Sequence, residues 1–306
     1  MNCSVVIPVY RGEQTIVPLV ERLGVELPKF AQNYEVILVN DSSPDDSWRK
    51  IEELSKRFPW VVGIKLMRNY GQHNATLCGV RLVRHEITIT MDDDLQHQPE
   101  EIHILLAKLS EGCDVVYGAP IKLPQGFWRN LMTKYTKNLL AWVMDAPSVR
   151  NVSAFRVFRT HLRDAFANFH SPSLTLDVLL SWGTTRFASV QVDIKPSKGR
   201  SNYNFFSLFQ YTLLILTGCT APLRLASWIG FLMTLFGIAI FLYVVIVYFT
   251  QGSLPGFPFL ASIISLFSGA QLFTLGIFGE YLSRMFDRSM DRPTYVVEEK
   301  IGGGAV

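Results

Sequence analysis

Three carboxylates in a row, Asp92, Asp93 and Asp94, are the residues of this sequence best placed to do chemistry. Bunched like charges repel unless a cation or a positive ligand lies between them. A hard divalent ion such as Mg2+ or Mn2+, held by carboxylate oxygens and bridging to phosphate, would satisfy the run. A solvated acidic turn is the bland alternative, and the surrounding sequence has to decide between the two. Residues 86–90, Glu-Ile-Thr-Ile-Thr, are β-branched and apolar enough for a buried strand. The acids therefore emerge where a strand ends, which is where open α/β sheets bind ligands.

The elements that must position them alternate. Residues 3–9, 34–40, 61–66 and 114–118 read as further short strands. Helical patterns cover 13–30, the stretch from the 41–47 turn to 57, the stretch from 74 to about 84, and one opening at Gln98-Pro99-Glu100. The 41–47 turn offers residues suited to capping the helix that follows it. This alternation predicts a parallel sheet with helices on both faces. Two polar turns, around Asp41 and around Asp94, then follow strand C-termini, the crevice position for a nucleotide. No GxGxxG follows the first strand and no GxxxxGK[ST] occurs, which disfavours a dinucleotide fold and a P-loop ATPase.

The net charge of +3 on 306 residues is too weak to suggest a nucleic-acid partner. Hydrophobic residues make up 49% of the chain, an excess that is concentrated rather than spread. Residues 225–279 contain no Asp, Glu, Lys, Arg or His, and they hold two segments of about the 20 residues that span a bilayer. The expected spans are 227–249 and 259–281. Arg224 and Arg284 flank the pair, with Lys195, Lys198, Arg200, Arg288, Arg292 and Lys300 beyond, so both ends are expected in the cytosol. No cationic stretch followed by an apolar run opens the chain, which also leaves the N-terminal domain expected in the cytosol. Residues 127–144 interleave aromatics and Leu with Arg129, Lys134 and Lys137, as in a helix lying on a membrane surface. Residues 205–216 are apolar nearly all round but shorter than a span, as in an interfacial helix. The expected organisation is a domain at 1–204, an interfacial helix and linker at 205–224, two membrane helices within 225–283, and a cytosolic tail at 284–306. Gly269, Gly276 and Gly279 would allow close helix contact and a homo-oligomer. Cys3, Cys78, Cys113 and Cys219 show no metal spacing and fit buried thiols in a reducing compartment. The six histidines show no paired metal spacing and read as surface or loop residues, with His97 at most behind the acidic run.

Four stretches together, VVIPVYRGEQTI (5–16), VILVNDSSPDDS (36–47), RNYGQHNA (68–75) and MDDDLQHQPEEI (91–102), resemble family 2 glycosyltransferases of the GT-A fold. Within these the chain looks like the polyisoprenyl-phosphate glycosyltransferases, a likeness extended by GIFGEYLSRMFDRSMDRPTYVV at 276–297. The resemblance implies a Rossmann-like α/β catalytic domain with a mostly parallel sheet, joined to a two-helix transmembrane hairpin in the cytoplasmic membrane. It implies transfer of one sugar, with inversion, from a nucleotide sugar (a UDP-sugar) to a polyisoprenyl phosphate. Pro8, Tyr10, Glu13 and Asp41 would hold the base and ribose, and Arg68, Asn69, Gly71 and Gln72 would close over them. Asp92 and Asp94 would form the DxD pair, with Gln96 a further ligand to Mg2+ or Mn2+. Asp93 stands where relatives often have Ala and is the least necessary of the three.

An attacking phosphate oxygen is already ionised at neutral pH, so a general base is not strictly required, which leaves open whether one operates. Cations to hold that phosphate are required instead, and Arg129, Arg150, Arg156, Lys198 and Arg200 are candidates. Asn151-Val152-Ser153-Ala154-Phe155-Arg156 departs from the D-x-G-D-F-R pattern that bactoprenol glucosyltransferases tend to carry there, which speaks against glucose as the sugar. Both carboxylates are missing and Arg156 is kept, to act beside Asp92 and Asp94. Asp177 could stand for the later acid of family 2 enzymes, but the closer relatives show none at that point, and it reads as a surface residue. A processive polysaccharide synthase is disfavoured by the lack of QxxRW, and a scaffold with a degenerate transferase domain by the intact DxD.

Overall fold

The computed structural model describes residues 1–120, 153–169, 175–193, 256–290 and 293–303, with part of 232–250. The chain divides into two units, Met1–Ile215 with Arg292–Val306, and Leu216–Asp291. The surface helix expected at 127–144, the interfacial helix at 205–216, and Arg129, Arg150, Lys198 and Arg200 lie outside the described residues.

The first unit runs β1 (Asn2–Val9), α1 (Ile16–Glu26), β2 (Asn33–Asn40), α2 (Ser47–Arg57), β3 (Val61–Leu66), α3 (Gln72–Leu82), β4 (Ile87–Thr90) and α4 (Ile102–Ser110). Then come β5 (Val115–Pro120), β6 (Arg156–Arg159), a helix at Leu176–Gly183, β7 (Phe187–Val192) and β8 (Val297–Gly302). The eight strands form one sheet in the order β7-β5-β6-β4-β1-β2-β3-β8. Val5, Val6, Ile7 and Val9 of β1 and Val36, Ile37, Leu38 and Val39 of β2 are all buried, the unbroken apolar run of strands covered on both faces. On one face they pack against Ile16, Leu19 and Leu23 of α1, Ile51 of α2 and Leu105 of α4. On the other they meet Ala75, Cys78 and Val80 of α3 and Leu176 and Leu179 of the later helix. α3 lies so close to the sheet at Gly79 that a Cβ added there would meet Val6 Cγ1 at 2.3 Å.

β1, β2, β3 and β4 are parallel, as the alternation predicts. The whole sheet is mixed, however. β6 runs antiparallel between β4 and β5, and β8 antiparallel to β3. The alternation read from the sequence ends at residue 118, before β6 and β8 begin, so it sets the direction of neither. β8 extends the sheet beyond β3 with Gly63 opposite Ile301, and Lys65 Nζ meets Glu298 at 3.0 Å.

In the second unit a helix runs 33 residues over Phe257–Ser289. Leu260, Ile264, Leu272, Phe273, Leu275 and Phe278 are exposed along it. Among the described residues no helix is long and apolar enough to cross a membrane, so the spans expected at 227–249 and 259–281 are not shown. Some positions of both segments lie outside those residues.

Candidate active site

β1 is flanked by β2 on one side and β4 on the other, which makes their shared C-terminal edge the switch point of the sheet, where open α/β folds bind ligands. The chain turns hard at this edge. Arg11, Ser42 and Leu95, with φ of 59°, 51° and 60°, are the non-glycine residues with positive φ among the described residues. Each left-handed residue costs about 1–3 kcal/mol and persists only where its surroundings hold it.

Here the surroundings are a set of cross-loop hydrogen bonds. Arg11 N–H donates to Ser43 Oγ at 2.7 Å, Gly12 N–H to Ser47 Oγ at 3.0 Å, and Glu13 N–H to Asp45 Oδ2 at 3.2 Å. Ser43 and Ser47 hydroxyls both donate to Asp45 Oδ1. Burial raises the Asp45 pKa, but these bonds outweigh it and hold the carboxyl below its ordinary value. The cap expected for α2 is absent, since Asp46 at its N-cap makes no side-chain cap bond. The polar turn ties β1's loop down instead. Asp41 is 2% exposed and accepts from Tyr70 N–H at 2.7 Å and Gly71 N–H at 2.8 Å. Burial raises its pKa against the pull of those two bonds.

Pro8, Tyr10, Asp41, Asn69, Gly71, Gln72, Asp92, Asp93 and Asp94 line one cavity of about 290 Å³. The structure thus brings together most of the residues expected to hold the nucleotide and the ion. Glu13 and Arg68 stand outside its wall, Glu13 in the tied loop and Arg68 over the Tyr70 ring at 4.7 Å. Gln96 folds back on Asp94, its backbone N–H 3.0 Å from Oδ1 and its amide against Oδ2.

Burial, added to by Asp94, pushes the Asp92 pKa up to about 6. Burial, with repulsion from Asp92 and Asp94, pushes Asp93 up to about 7 against the Tyr10 N–H that donates to its Oδ2 at 3.3 Å. A carboxyl whose folded pKa exceeds its unfolded value holds its proton more tightly when native. The metal-free protein therefore loses stability as pH rises from about 4 to about 7. Asp93→Asn removes this penalty and keeps an acceptor for Tyr10. In chelator, thermal scans are expected to give the variant a higher Tm than wild type at pH 8, with the difference closing as pH falls through the window. Equal Tm values at pH 8 would refute the assignment.

A second cavity, about 200 Å³, shares Pro8, Gln72 and Asp92 with the first. His73, Thr76, Thr90, Ser153, Arg156 and Asp177 also line it. Arg156 stands in this wall, with Asp92. Asp177 is not a surface residue: it is 4% exposed and pairs with Arg156. The apolar run Leu176-Asp177-Val178-Leu179 packs against the sheet and carries the acid inward, where β6 supplies the cation. His97 also departs from the surface expectation. It is buried and stacks on Phe155 with centroids 5.2 Å apart, and its Nδ1 has no partner among the described residues. Cys3 and Cys78 are buried thiols, as expected, and burial pushes both pKa values to about 12.

The family model described as Glycosyl transferase family 2 matches residues 4–165. The chain belongs to glycosyl transferase family 2. It is 34% identical to the undecaprenyl-phosphate 4-deoxy-4-formamido-L-arabinose transferase of Shewanella sediminis (strain HAW-EB3), over 99% of this chain and 93% of that one. Among solved structures it is similar to mannosyl-3-phosphoglycerate synthase from Rubrobacter xylanophilus, with a TM-score of 0.56, 16% identity and coverage of 73% and 74% of the two chains. It is also similar to glucosyl-3-phosphoglycerate synthase from Mycobacterium tuberculosis, solved with Mn2+, UDP and phosphoglyceric acid, at TM-score 0.52, 16% identity and 71% and 76% coverage. At that identity these likenesses show the fold, a GT-A-like mixed α/β sheet. Among the described residues of this glycosyltransferase, no three His, Cys, Asp or Glu side chains form a ready-made metal cage.

Proposed function

We propose that this glycosyltransferase moves a single sugar, with inversion, from a UDP-sugar to a polyisoprenyl phosphate of the undecaprenyl type at the cytosolic face of a membrane. The observation that carries the proposal is the place of Asp92, in the wall common to a nucleotide-sized crevice and a polar cavity holding a buried arginine. A donor seated along Asp41 and the Tyr10 loop would bring its diphosphate to the acids. Asp92 and Asp94, with the Gln96 amide, would hold one divalent ion. Mg2+ takes one or two carboxylates and completes its shell from substrate phosphates and water, so three protein acids are not needed. Mutual repulsion of Asp92 and Asp94 is also what a cation relieves. Such an ion would neutralise the charge that develops on the departing diphosphate.

Undecaprenyl phosphate and 4-deoxy-4-formamido-L-arabinose appear in the name of the relative from Shewanella sediminis, which makes that sugar the first donor to test. The acceptor phosphate would meet Arg156, with Arg129, Arg150, Lys198 and Arg200 as further cations. A membrane hairpin within 225–283 is supported by the charge-free stretch and by the apolar side chains exposed along Phe257–Ser289, a surface that water disfavours and lipid accepts.

The test is incubation of the full chain in lipid nanodiscs with a panel of UDP-sugars, undecaprenyl phosphate and Mn2+. A lipid-linked sugar is expected from one donor, and its formation is expected to stop with chelator. Failure of every donor sinks the proposal. If Mn2+-dependent UDP binding is also absent, the chain is a scaffold with a degenerate transferase domain.

A further inference from the structure

Arg156 is set in β6 directly across from Thr90 of β4 on one side and Tyr117 of β5 on the other. Its Nε–H donates to Thr90 Oγ1 at 3.0 Å, and the Thr90 hydroxyl donates in turn to the Ala154 carbonyl at 2.8 Å. Asp177, from the Leu176–Gly183 helix packed on that face, accepts on one oxygen from Arg156 Nη1–H and from the Tyr117 hydroxyl, the latter at 3.0 Å. The two charged side chains are only 5% and 6% exposed. Both still reach the wall of the cavity that Asp92 shares.

Two ordinary roles fit Asp177 poorly. A base is not called for when the attacking oxygen belongs to an ionised phosphate, and the oxygen nearest Arg156 is already engaged by two donors. A stabilising ion pair is a weak account too, because desolvation offsets the attraction of a buried pair and apolar residues of equal volume serve stability as well. What such a pair does supply is a guanidinium with a fixed plane, held where charge is to be received. It also settles a competition. Among the described residues Asp92 is the other carboxylate lining this cavity, and Arg156 interacts with it electrostatically. Without Asp177, Arg156 is drawn toward Asp92, onto the group needed for the diphosphate and its ion.

We propose that Asp177 is a positioning residue for sugar transfer that acts through Arg156, fixing the guanidinium against the cavity wall and keeping it off Asp92. The inference rests on the function proposed above. Its test uses the full chain in lipid nanodiscs, undecaprenyl phosphate, Mn2+ and the UDP-sugar that wild type accepts. Asp177→Asn is expected to lower kcat about 30- to 100-fold, the scale of a misplaced group, with donor KM little changed. The Mn2+ concentration for half-maximal rate is expected to rise several-fold, a shift a merely structural pair would not cause. Arg156→Met and the double variant Arg156→Met with Asp177→Asn are expected to have equal kcat, because Asp177 has nothing left to position. Tyr117→Phe keeps both charges and serves if Asp177→Asn folds poorly. Its expected loss is about threefold in kcat, one neutral hydrogen bond. A folded Asp177→Asn protein with wild-type kcat and Mn2+ requirement overturns the inference, as do losses that multiply in the double variant. Wild-type kcat in Tyr117→Phe also overturns it. A wild type inactive with every donor overturns the proposed function and this inference with it, whereas an active wild type isolates the inference.

Discussion

Asp94→Ala is expected to slow sugar transfer about a thousandfold, the cost of removing a principal stabiliser of transition-state charge, while leaving the fold intact. Asp94 is exposed, and its hydrogen bonds run to Gln96 two residues on, so no core contact goes with it. Removing it also relieves Asp92 of its repulsion, so Tm is expected to hold or rise slightly. Rate and stability therefore move in different directions, and a misfolding artefact cannot imitate that result. The checks are initial rate at saturating Mn2+, Mn2+ affinity by titration, and a thermal scan. A variant that keeps a tenth or more of the wild-type rate would rule out Asp94 as a diphosphate-metal ligand. Asp93→Asn provides the contrast, since Asp93 also serves the Tyr10 backbone and its replacement keeps that bond.

Gly79→Ala is expected to destabilise the first unit by about 2 kcal/mol. Alanine's better helix propensity returns about 1 kcal/mol, but the new Cβ would sit 2.3 Å from Val6 Cγ1 and 3.1 Å from Val39 Cγ2. Both valines are fully buried in central strands and have no room to turn aside. Overpacking of this kind costs up to about 3 kcal/mol, so the clash prevails over the propensity. α3 must lift, and it carries at its N-terminus Gln72, whose amide donates to Asp92 Oδ1 at 2.5 Å. A fall in Tm accompanied by a loss of activity in the remaining folded protein is the expected outcome. An unchanged Tm would show that α3 can shift at no cost.

Much of the first unit is legible in the sequence because its signals are local. The apolar runs that became β1, β2, β3 and β4 each end in a polar turn, so the edge that gathers Tyr10, Asp41 and Asp92 follows from pattern alone. β6 and β8 are not legible, because the alternating pattern stops at residue 118 and their partners, β4 and β3, lie far away in the chain. The Arg156–Asp177 pair is missed for a related reason. An acid inside Leu176-Asp177-Val178-Leu179 is a signal that a buried partner exists, but which cation arrives depends on the register of β6 against β4. The use of Asp45 to brace β1's loop, instead of Ser47 or Asp46 capping α2, is likewise a contact between turns that lie far apart in the chain.

β8 lies after Leu216–Asp291 in the chain, yet it pairs with β3, which lies before it. The two flanks of that apolar segment are thus parts of one folded body and must share a compartment. Whatever crossings of a bilayer the segment makes, their number has to be even. An odd count would strand β8 across the membrane and leave the edge at Gly63 unpaired. Strand pairing in the first unit therefore sets the parity of any such crossings, independently of any count of flanking charges.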